Sequence, residues 1–290
     1  MIRPRVGLVL GGGGSRGLAH IGVLDILVNE DVPIDLIVGT SMGAIVGTLF
    51  ALGVNPKQMV ARMGELKGSN LFSMNLFSAR ARQRMVRDQL AEVLEGKTFA
   101  DLKIPLSIMA VDMVNGHEVV ITEGPLMPAV LASSAVPAVF PPVEINDLHL
   151  ADGGVIDSLA THVAFEKGAD KVIAVDVYPP LEKDDPWIDP VSAIMGFQLP
   201  FGLFSASTGS KMPSMLSSIW RGFRVMAWYL HEERLAAHPP DVLLRPKVDG
   251  FGSLDFTDVE GPYLAGLNEA QRRLPEIKML FEDSATRSSA

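Results

Sequence analysis

The sequence predicts an α/β protein with a mainly parallel central sheet and helices on both faces. Strand and helix signals alternate from Val6 to Val177, as they do in repeated strand–helix–strand units. A chain of 290 residues with 48% hydrophobic content can bury one large core. We therefore expect one main domain, with a core at residues 5–178 and a C-terminal extension of the same domain at residues 179–290.

The first element is an apolar strand followed by a run of glycines. Val6 to Leu10 is typical of a buried parallel strand, and Gly11 to Gly17 leads from it into a helix with apolar residues from Leu18 to Leu27. Such a run can aim several backbone N–H groups at one point beside a helix N-terminus. The pattern predicts a cradle for an anion, either a phosphate or an oxyanion.

A dinucleotide site is the phosphate alternative, because Gly12, Gly14 and Gly17 satisfy the spacing G-x-G-x-x-G after a strand. That fold also needs an acidic residue near the end of the second strand to hold the ribose. Asp31 and Asp35 both precede the second strand, so the ribose ligand is missing. No Gly-Lys-Ser/Thr follows the glycines, which excludes a P-loop.

The second element is a serine between two glycines at a junction of strand and helix. Leu36 to Val38 predicts the strand, Gly39 and Gly43 flank Ser41 in the pattern G-x-S-x-G, and Ala44 to Phe50 predicts a buried helix. Glycines allow the tight turn that leaves the serine hydroxyl exposed at the helix N-terminus. The helix dipole there favours the negative charge that develops during attack on an ester.

The third element is an aspartate that ends an apolar segment. Asp152 is followed by Gly153 and Gly154, which let backbone lie close by and let the carboxylate turn toward another loop. A carboxylate within hydrogen-bond reach of a serine can act as its base. Taken alone, however, Asp-Gly is a common turn pair, and an ordinary turn is the better interpretation.

Together and in this order, the three elements resemble the patatin-like phospholipase family. The resemblance is close over roughly residues 5–178, and it includes the stretches 17–24, 132–142 and 168–176. The family's oxyanion, nucleophile and D-G-G/A motifs are matched, respectively, by Gly12, Gly13, Gly14, Arg16 and Gly17, by Gly39, Ser41 and Gly43, and by Asp152, Gly153 and Gly154.

The resemblance implies a three-layer α/β/α fold and a serine acyl hydrolase that cleaves lipid esters through an acyl-serine intermediate. Ser41 would be the nucleophile and Asp152 its base, forming a dyad without histidine. The N–H groups of Gly12, Gly13 and Gly14 would form the oxyanion hole. No cofactor and no metal ion are implied.

Two other interpretations stay open at this point. A patatin fold kept as a regulatory or scaffolding module would not need all three motifs. A Ser-His-Asp triad would follow the chain order of α/β-hydrolases. In those enzymes several strands normally precede the nucleophile, whereas only two precede Ser41, and no histidine lies in a position that suggests a base. The histidines are His20 and His162 in helical stretches, His149 in a strand, His117 beside a hairpin turn, and His231 and His238 at the edges of a late charged helix.

Charge and cysteine content limit the partners and the compartment. A net charge of -9 with no Lys/Arg block argues against a nucleic-acid partner. The absence of cysteine excludes disulfides and agrees with a reducing compartment. The apolar stretch near the start is too short for a signal peptide, so we expect a cytoplasmic protein, peripheral at the inner face of a membrane, with a lipid or acyl-ester substrate. Homo-oligomerisation stays open.

Two uncharged stretches invite comparison with membrane segments. Leu36 to Pro56 spaces its glycines like a transmembrane dimer motif, but the same residues predict the strand, turn and helix around Ser41. The stretch from Pro190 to Ser210 is interrupted by glycine and proline and carries Phe197, Phe201 and Phe204, so we interpret the segment 190–215 as a lid. A membrane contact or a subunit contact are its alternatives.

Arginines supply the cations near these elements. Arg16 is expected to fix the glycine loop, or else to meet an anionic head group. The region from Met74 to Glu95 predicts a helix, whose basic residues favour a solvated face over a contact with lipid phosphate. They are Arg80, Arg82, Arg84 and Arg87.

Overall fold

The computed structural model describes residues 3–65, 79–181 and 215–286. Its strands are β1 (Val6–Leu10), β2 (Leu36–Thr40), β3 (Leu106–Asp112), β4 (His117–Ile121), β5 (Val143–Ile145), β6 (Leu148–Asp152), β7 (Lys171–Val175) and β8 (Val242–Leu244). Its α-helices are α1 (Ala19–Asn29), α2 (Met42–Ala51), α3 (Pro56–Glu65), α4 (Ala79–Leu94), α5 (Leu126–Ser133), α6 (Thr161–Glu166), α7 (Met215–Ala237) and α8 (Glu260–Thr286).

The strands form one mixed sheet in the order β5-β6-β3-β2-β1-β7-β8, with β4 paired to β3. β1 lies between β2 and β7 and is parallel to both, while β2–β3 and β7–β8 are also parallel. β4, β5 and β6 supply the antiparallel pairs. The carboxyl ends of β1, β2 and β7 therefore meet at one edge of the sheet, called here the carboxyl edge.

Side chains of β1 alternate between two apolar layers, as the period of a strand requires. Leu8 and Leu10 pack in a core with α1, α2 and α8. Val9 packs in a separate core with α6 and with Leu235 of α7. The predicted three-layer α/β/α fold with a mainly parallel sheet is thus confirmed.

The extension after residue 178 packs directly on the core through α8. A Cβ at Gly22 of α1 would lie 2.0 Å from the Tyr263 carbonyl oxygen, and one at Gly266 of α8 would lie 1.9 Å from that of Ala19. Glycine at these two positions lets the helix backbones approach more closely than any side chain permits.

Of the two stretches that were compared with membrane segments, the structure describes the first in full. Leu36 to Pro56 forms β2, the turn and α2 rather than one long helix. Among the described residues, no helix combines the length and apolarity needed to cross a membrane. The segment predicted as a lid, 190–215, lies outside the described residues except for Met215, where α7 begins. The arginine-rich helix is α4, which begins at Ala79.

Candidate active site

Ser41 lies in a strained turn between β2 and α2. Its backbone has φ 55° and ψ −120°, a left-handed conformation that costs a non-glycine residue about 1–3 kcal/mol. Its carbonyl oxygen accepts hydrogen bonds from Ala44 N at 2.9 Å and Ile45 N at 3.1 Å, which start α2. The predicted elbow, with the serine at a helix N-terminus, is therefore present.

Gly43 is required by a close approach of two chain segments. A Cβ at this position would lie 2.0 Å from the Leu10 carbonyl oxygen. At Gly39 a Cβ would lie 2.7 Å from the Cα of Ala44. The two glycines of the motif thus let α2 start directly against the carboxyl end of β1.

The register of β3 brings Asp152 beside Ser41. β4 pairs with Ile108–Asp112 and therefore occupies one edge of β3. β2 pairs with the first part of β3, as far as the pair Thr40↔Met109. β6 pairs with the rest of β3, starting at the pair Asp152↔Ala110. β2 and β6 therefore lie end to end along the other edge of β3. Consequently Ser41, the residue after Thr40, lies next to Asp152.

Asp152 is a buried carboxylate beside the Ser41 hydroxyl. Its Oδ1 accepts a hydrogen bond from Gly154 N at 2.8 Å, and the Ser41 hydroxyl lies close enough to act on its pKa as a hydrogen-bond donor. Burial raises the pKa of Asp152 from 3.8 to about 6, because a charged carboxylate is poorly solvated there; the two hydrogen bonds act in the opposite direction. This aspartate can therefore accept a proton near neutral pH.

The glycine loop lies beside the serine, but one of its three candidate oxyanion donors, the Gly12 N–H, already has an acceptor. A Cβ at Gly12 would lie 3.3 Å from that of Ser41, while Gly12 N donates to Ser158 O at 2.9 Å. Among the described residues, no acceptor is found for the N–H groups of Gly13 and Gly14. The candidate oxyanion donors therefore narrow from three glycines to Gly13 and Gly14.

Gly14 has two separate reasons to be glycine. Its φ is +60°, and a Cβ there would lie 1.9 Å from the Ser253 carbonyl oxygen. Ser15 N donates to that same oxygen at 2.8 Å, and Arg16 Nη1 donates to Ser253 Oγ at 2.7 Å. Arg16 is buried and anchors the loop to the segment before α8.

Three further serines hold the site together, and two of them carry no recognisable sequence signal. Ser133 Oγ accepts the Ser41 N–H at 2.9 Å and so fixes the strained turn. Ser158 holds Gly12 from both sides, since its carbonyl oxygen accepts the Gly12 N–H and its Oγ donates to Gly12 O at 3.1 Å. Ser253 is 237 residues from Arg16 in sequence. Only the stretch 132–142, which contains Ser133, stands out in the sequence.

The histidines take no part in the pair of Ser41 and Asp152. All six lie in the described ranges, and no hydrogen bond links any of them to Ser41 or Asp152. His20 Nε2 donates to Gly11 O at 2.7 Å, and burial lowers the pKa of this histidine to about 4. His231 pairs with Asp176, and His162 pairs with Glu118.

One group of side chains in the described ranges has the spacing of metal ligands: Glu118, Asp157 and His162. Arg234 Nη1 donates to Glu118 at 2.8 Å and to Asp157 at 3.1 Å, so both carboxylates already have a cationic partner. The Glu118 carboxylate also raises the pKa of His162. The group is therefore an ion-pair network that ties α7 to the segment after Asp152.

Ser41 opens into an apolar cavity of about 150 Å³. Ile45 and Leu49, one and two turns after the serine on α2, line it along its length. Arg62 and Glu92 also border it and form an ion pair at 2.7 Å. An apolar chain can enter this space while its ester end stays at Ser41.

The chain matches the family model described as "Patatin-like phospholipase" over residues 8–165. It is 30% identical over 281 residues to lysophospholipase nte1 of Aspergillus fumigatus, covering 94% of this chain and 18% of that protein. It is also 30% identical over 278 residues to an uncharacterized NTE family protein of Mycobacterium tuberculosis, covering 93% of this chain and 46% of that protein. The chain thus spans less than half the length of these relatives.

Among solved structures, the crystal structure of VipD from Legionella pneumophila matches 94% of this chain and 67% of that chain, with a TM-score of 0.53 and 12% identity. At this identity the likeness concerns the fold alone. The family match covers more than half of the sequence and includes the glycine loop, Ser41 and Asp152. The chain belongs to the patatin-like phospholipase family.

Proposed function

We propose that the protein is a serine acyl hydrolase that cleaves carboxylic esters of lipids with Ser41 as nucleophile and Asp152 as base. The observation that carries this proposal is a strained serine placed beside a buried carboxylate at the end of an apolar cavity. The family and the relatives named lysophospholipase support a lipid substrate.

The geometry supports a two-step reaction. Ser41 Oγ attacks the ester carbonyl carbon while Asp152 accepts the hydroxyl proton, and the N–H groups of Gly13 and Gly14 stabilise the oxyanion. As the tetrahedral intermediate collapses, the alcohol leaves with the proton from Asp152, and the acyl group stays on Ser41. Water then attacks this ester while Asp152 again accepts a proton, and as the bond to Ser41 Oγ breaks Asp152 returns the proton to that oxygen and the carboxylic acid is released.

The substrate and the location follow from the same reasoning. We infer that the cavity along α2 receives the acyl chain, because its lining is largely apolar. We infer a cytoplasmic enzyme that works at the surface of a membrane, where such esters are found.

The direct test is to incubate lipid extracts with the purified protein and with its Ser41→Ala variant. Fatty acids or lysolipids that mass spectrometry finds only with the wild type would identify the substrate, and identical product profiles would contradict the proposal.

The dependence of the rate on pH tests the role of Asp152. Its raised pKa means that the carboxylate is protonated, and unable to act as base, below about pH 6. We expect kcat/KM for a soluble ester to fall about tenfold per pH unit below this midpoint and to level off above it. In a mixed water–alcohol solvent the midpoint should move upward, since ionisation of a carboxylic acid creates charge. A midpoint that the solvent leaves unchanged would indicate an imidazole base instead.

The depth of the cavity tests the acyl-chain assignment. Leu49 lies eight residues beyond Ser41 on α2, or roughly 12 Å at a rise of 1.5 Å per residue. We expect Leu49→Trp to lower kcat/KM for long-chain esters at least tenfold, because the indole fills the far end of the cavity. Short-chain esters should be hydrolysed as before. Leu49→Met conserves volume and is the matched control, while equal loss on both chain lengths would contradict the assignment.

A further inference from the structure

α7 has its polar and apolar sides reversed relative to an ordinary surface helix. Ser217, Arg224, His231 and Leu235 lie on its buried side, so three of these four inward residues are polar. The opposite side carries large apolar residues spaced three or four apart, which places them along one stripe. This stripe consists of Met215, Ile219, Phe223, Met226 and Tyr229, whose exposed fractions range from 45% to 79%.

The stripe is close to the carboxyl edge of the sheet. His231 pairs with Asp176, directly after β7, and its ring stacks on Tyr178. Arg224 donates to the carbonyl oxygens of Pro179 and Pro180, farther along the chain that leaves β7. Because β2 and β7 are both parallel to β1, this is the edge at which Ser41 lies.

Cationic side chains are present at the same edge. The first turns of α4 lie there, since Gln83 lines the Ser41 cavity and donates to Pro141 O at 3.1 Å. Arg80, Arg84 and Arg87 are exposed along one side of this helix, and none of them forms an ion pair with another described residue. Asp88 is the one acidic residue between Ala79 and Gln89.

We propose that the carboxyl edge docks on an anionic phospholipid bilayer, with the α7 stripe inserted among the lipids and the α4 arginines against their phosphates. This proposal rests on the proposed function, since a lipid ester must reach Ser41 from the aggregate that contains it. Apolar side chains and cations at one edge of the protein match a surface with acyl chains under anionic head groups.

The docking test uses the Ser41→Ala protein, so that binding is measured without hydrolysis and stands apart from the proposed activity. Vesicles of phosphatidylcholine with phosphatidylglycerol, and of phosphatidylcholine alone, are pelleted with the protein. Ile219→Ser, Phe223→Ser and Met226→Ser combined should weaken binding to the anionic vesicles at least tenfold. The control is Leu264→Ser with Met279→Ser, two exposed apolar residues of α8, and it should bind as the parent does.

A second comparison tests the cations. Arg80→Gln with Arg84→Gln should weaken binding to anionic vesicles severalfold, and added salt should remove the difference. Lys57→Gln with Lys167→Gln makes the same change of charge at exposed positions outside the carboxyl edge and should have no effect. Binding to phosphatidylcholine alone should not distinguish the two pairs.

Three results would overturn the docking proposal. One is a parent protein that pellets with neither kind of vesicle. Another is a stripe variant that binds as its parent does. The third is a stripe variant that changes from dimer to monomer without any change in vesicle binding, which would assign the stripe to a second copy. Circular dichroism of each variant checks its fold. A further experiment tests docking without altering the stripe: in a Trp187→Phe background, brominated lipid should quench the fluorescence of Trp220 and Trp228.

Discussion

Ser41→Ala is expected to abolish ester hydrolysis, with a loss of at least about 10⁴-fold in kcat, because removal of a serine nucleophile leaves only binding and oxyanion stabilisation. The fold should be kept, since the turn is fixed through the Ser41 backbone: its N–H bonds Ser133 and its carbonyl oxygen starts α2. Steady-state kinetics on a soluble ester measure the loss, and circular dichroism checks the fold.

Covalent labelling provides the complementary measurement. A fluorophosphonate probe should modify the wild type at Ser41, as peptide mass spectrometry would show, and should leave the Ser41→Ala variant unlabelled. Ser107→Ala is the matched control, since Ser107 is another buried serine of the sheet and lies outside the site. Labelling at another serine, or full activity in Ser41→Ala, would contradict the proposed mechanism and favour a scaffolding role for the fold.

Asp152→Asn has the second-largest expected effect. It conserves the shape of the side chain and can still accept the Gly154 N–H, but an amide cannot accept the Ser41 proton. We expect turnover to fall by about 10²-fold or more. Substitution of His162 or His231 by glutamine should leave turnover nearly unchanged in any variant that folds. A folded histidine variant as inactive as Ser41→Ala would show that a triad operates instead.

The same Asp152→Asn variant should be more stable than the wild type at neutral pH. Since burial raises the pKa of Asp152 from 3.8 to about 6, ionising this group in the folded protein costs on the order of 3 kcal/mol of unfolding free energy above pH 6. Below about pH 4 both states bind the proton, and the difference between the two proteins should vanish. Urea unfolding of both proteins across this pH range measures the difference in their free energies of unfolding. A variant that is less stable at neutral pH would mean that Asp152 holds the fold together.

Sequence patterns predicted the local parts of the site because these depend on backbone sterics. Glycines on both sides of Ser41 indicate a turn in which backbone passes close by, and the structure places Gly43 against the carbonyl oxygen of Leu10. The glycine run after β1 likewise predicted a tight loop at a helix start. Apolar runs predicted β1, β2 and α2, since burial on a sheet has a short and recognisable period.

Tertiary structure alone decided which groups meet. The register of β3 puts Asp152 beside Ser41, and no pattern near either residue specifies that register. The use of the Gly12 N–H by Ser158 narrows the candidate oxyanion donors, and the anchor of Arg16 on Ser253 depends on a contact 237 residues away.

The sequence by itself determined the fold class, the family and the strained serine turn, because each depends on the short-range spacing of glycine and apolar residues. It did not determine the reversed sides of α7, since helical periodicity shows a stripe without showing which side faces the protein. That choice depends on which side finds partners: Arg224 and His231 find theirs in the chain after β7, and the apolar stripe is left outside. Packing and register are sums over contacts between distant residues, and only the tertiary structure resolves them.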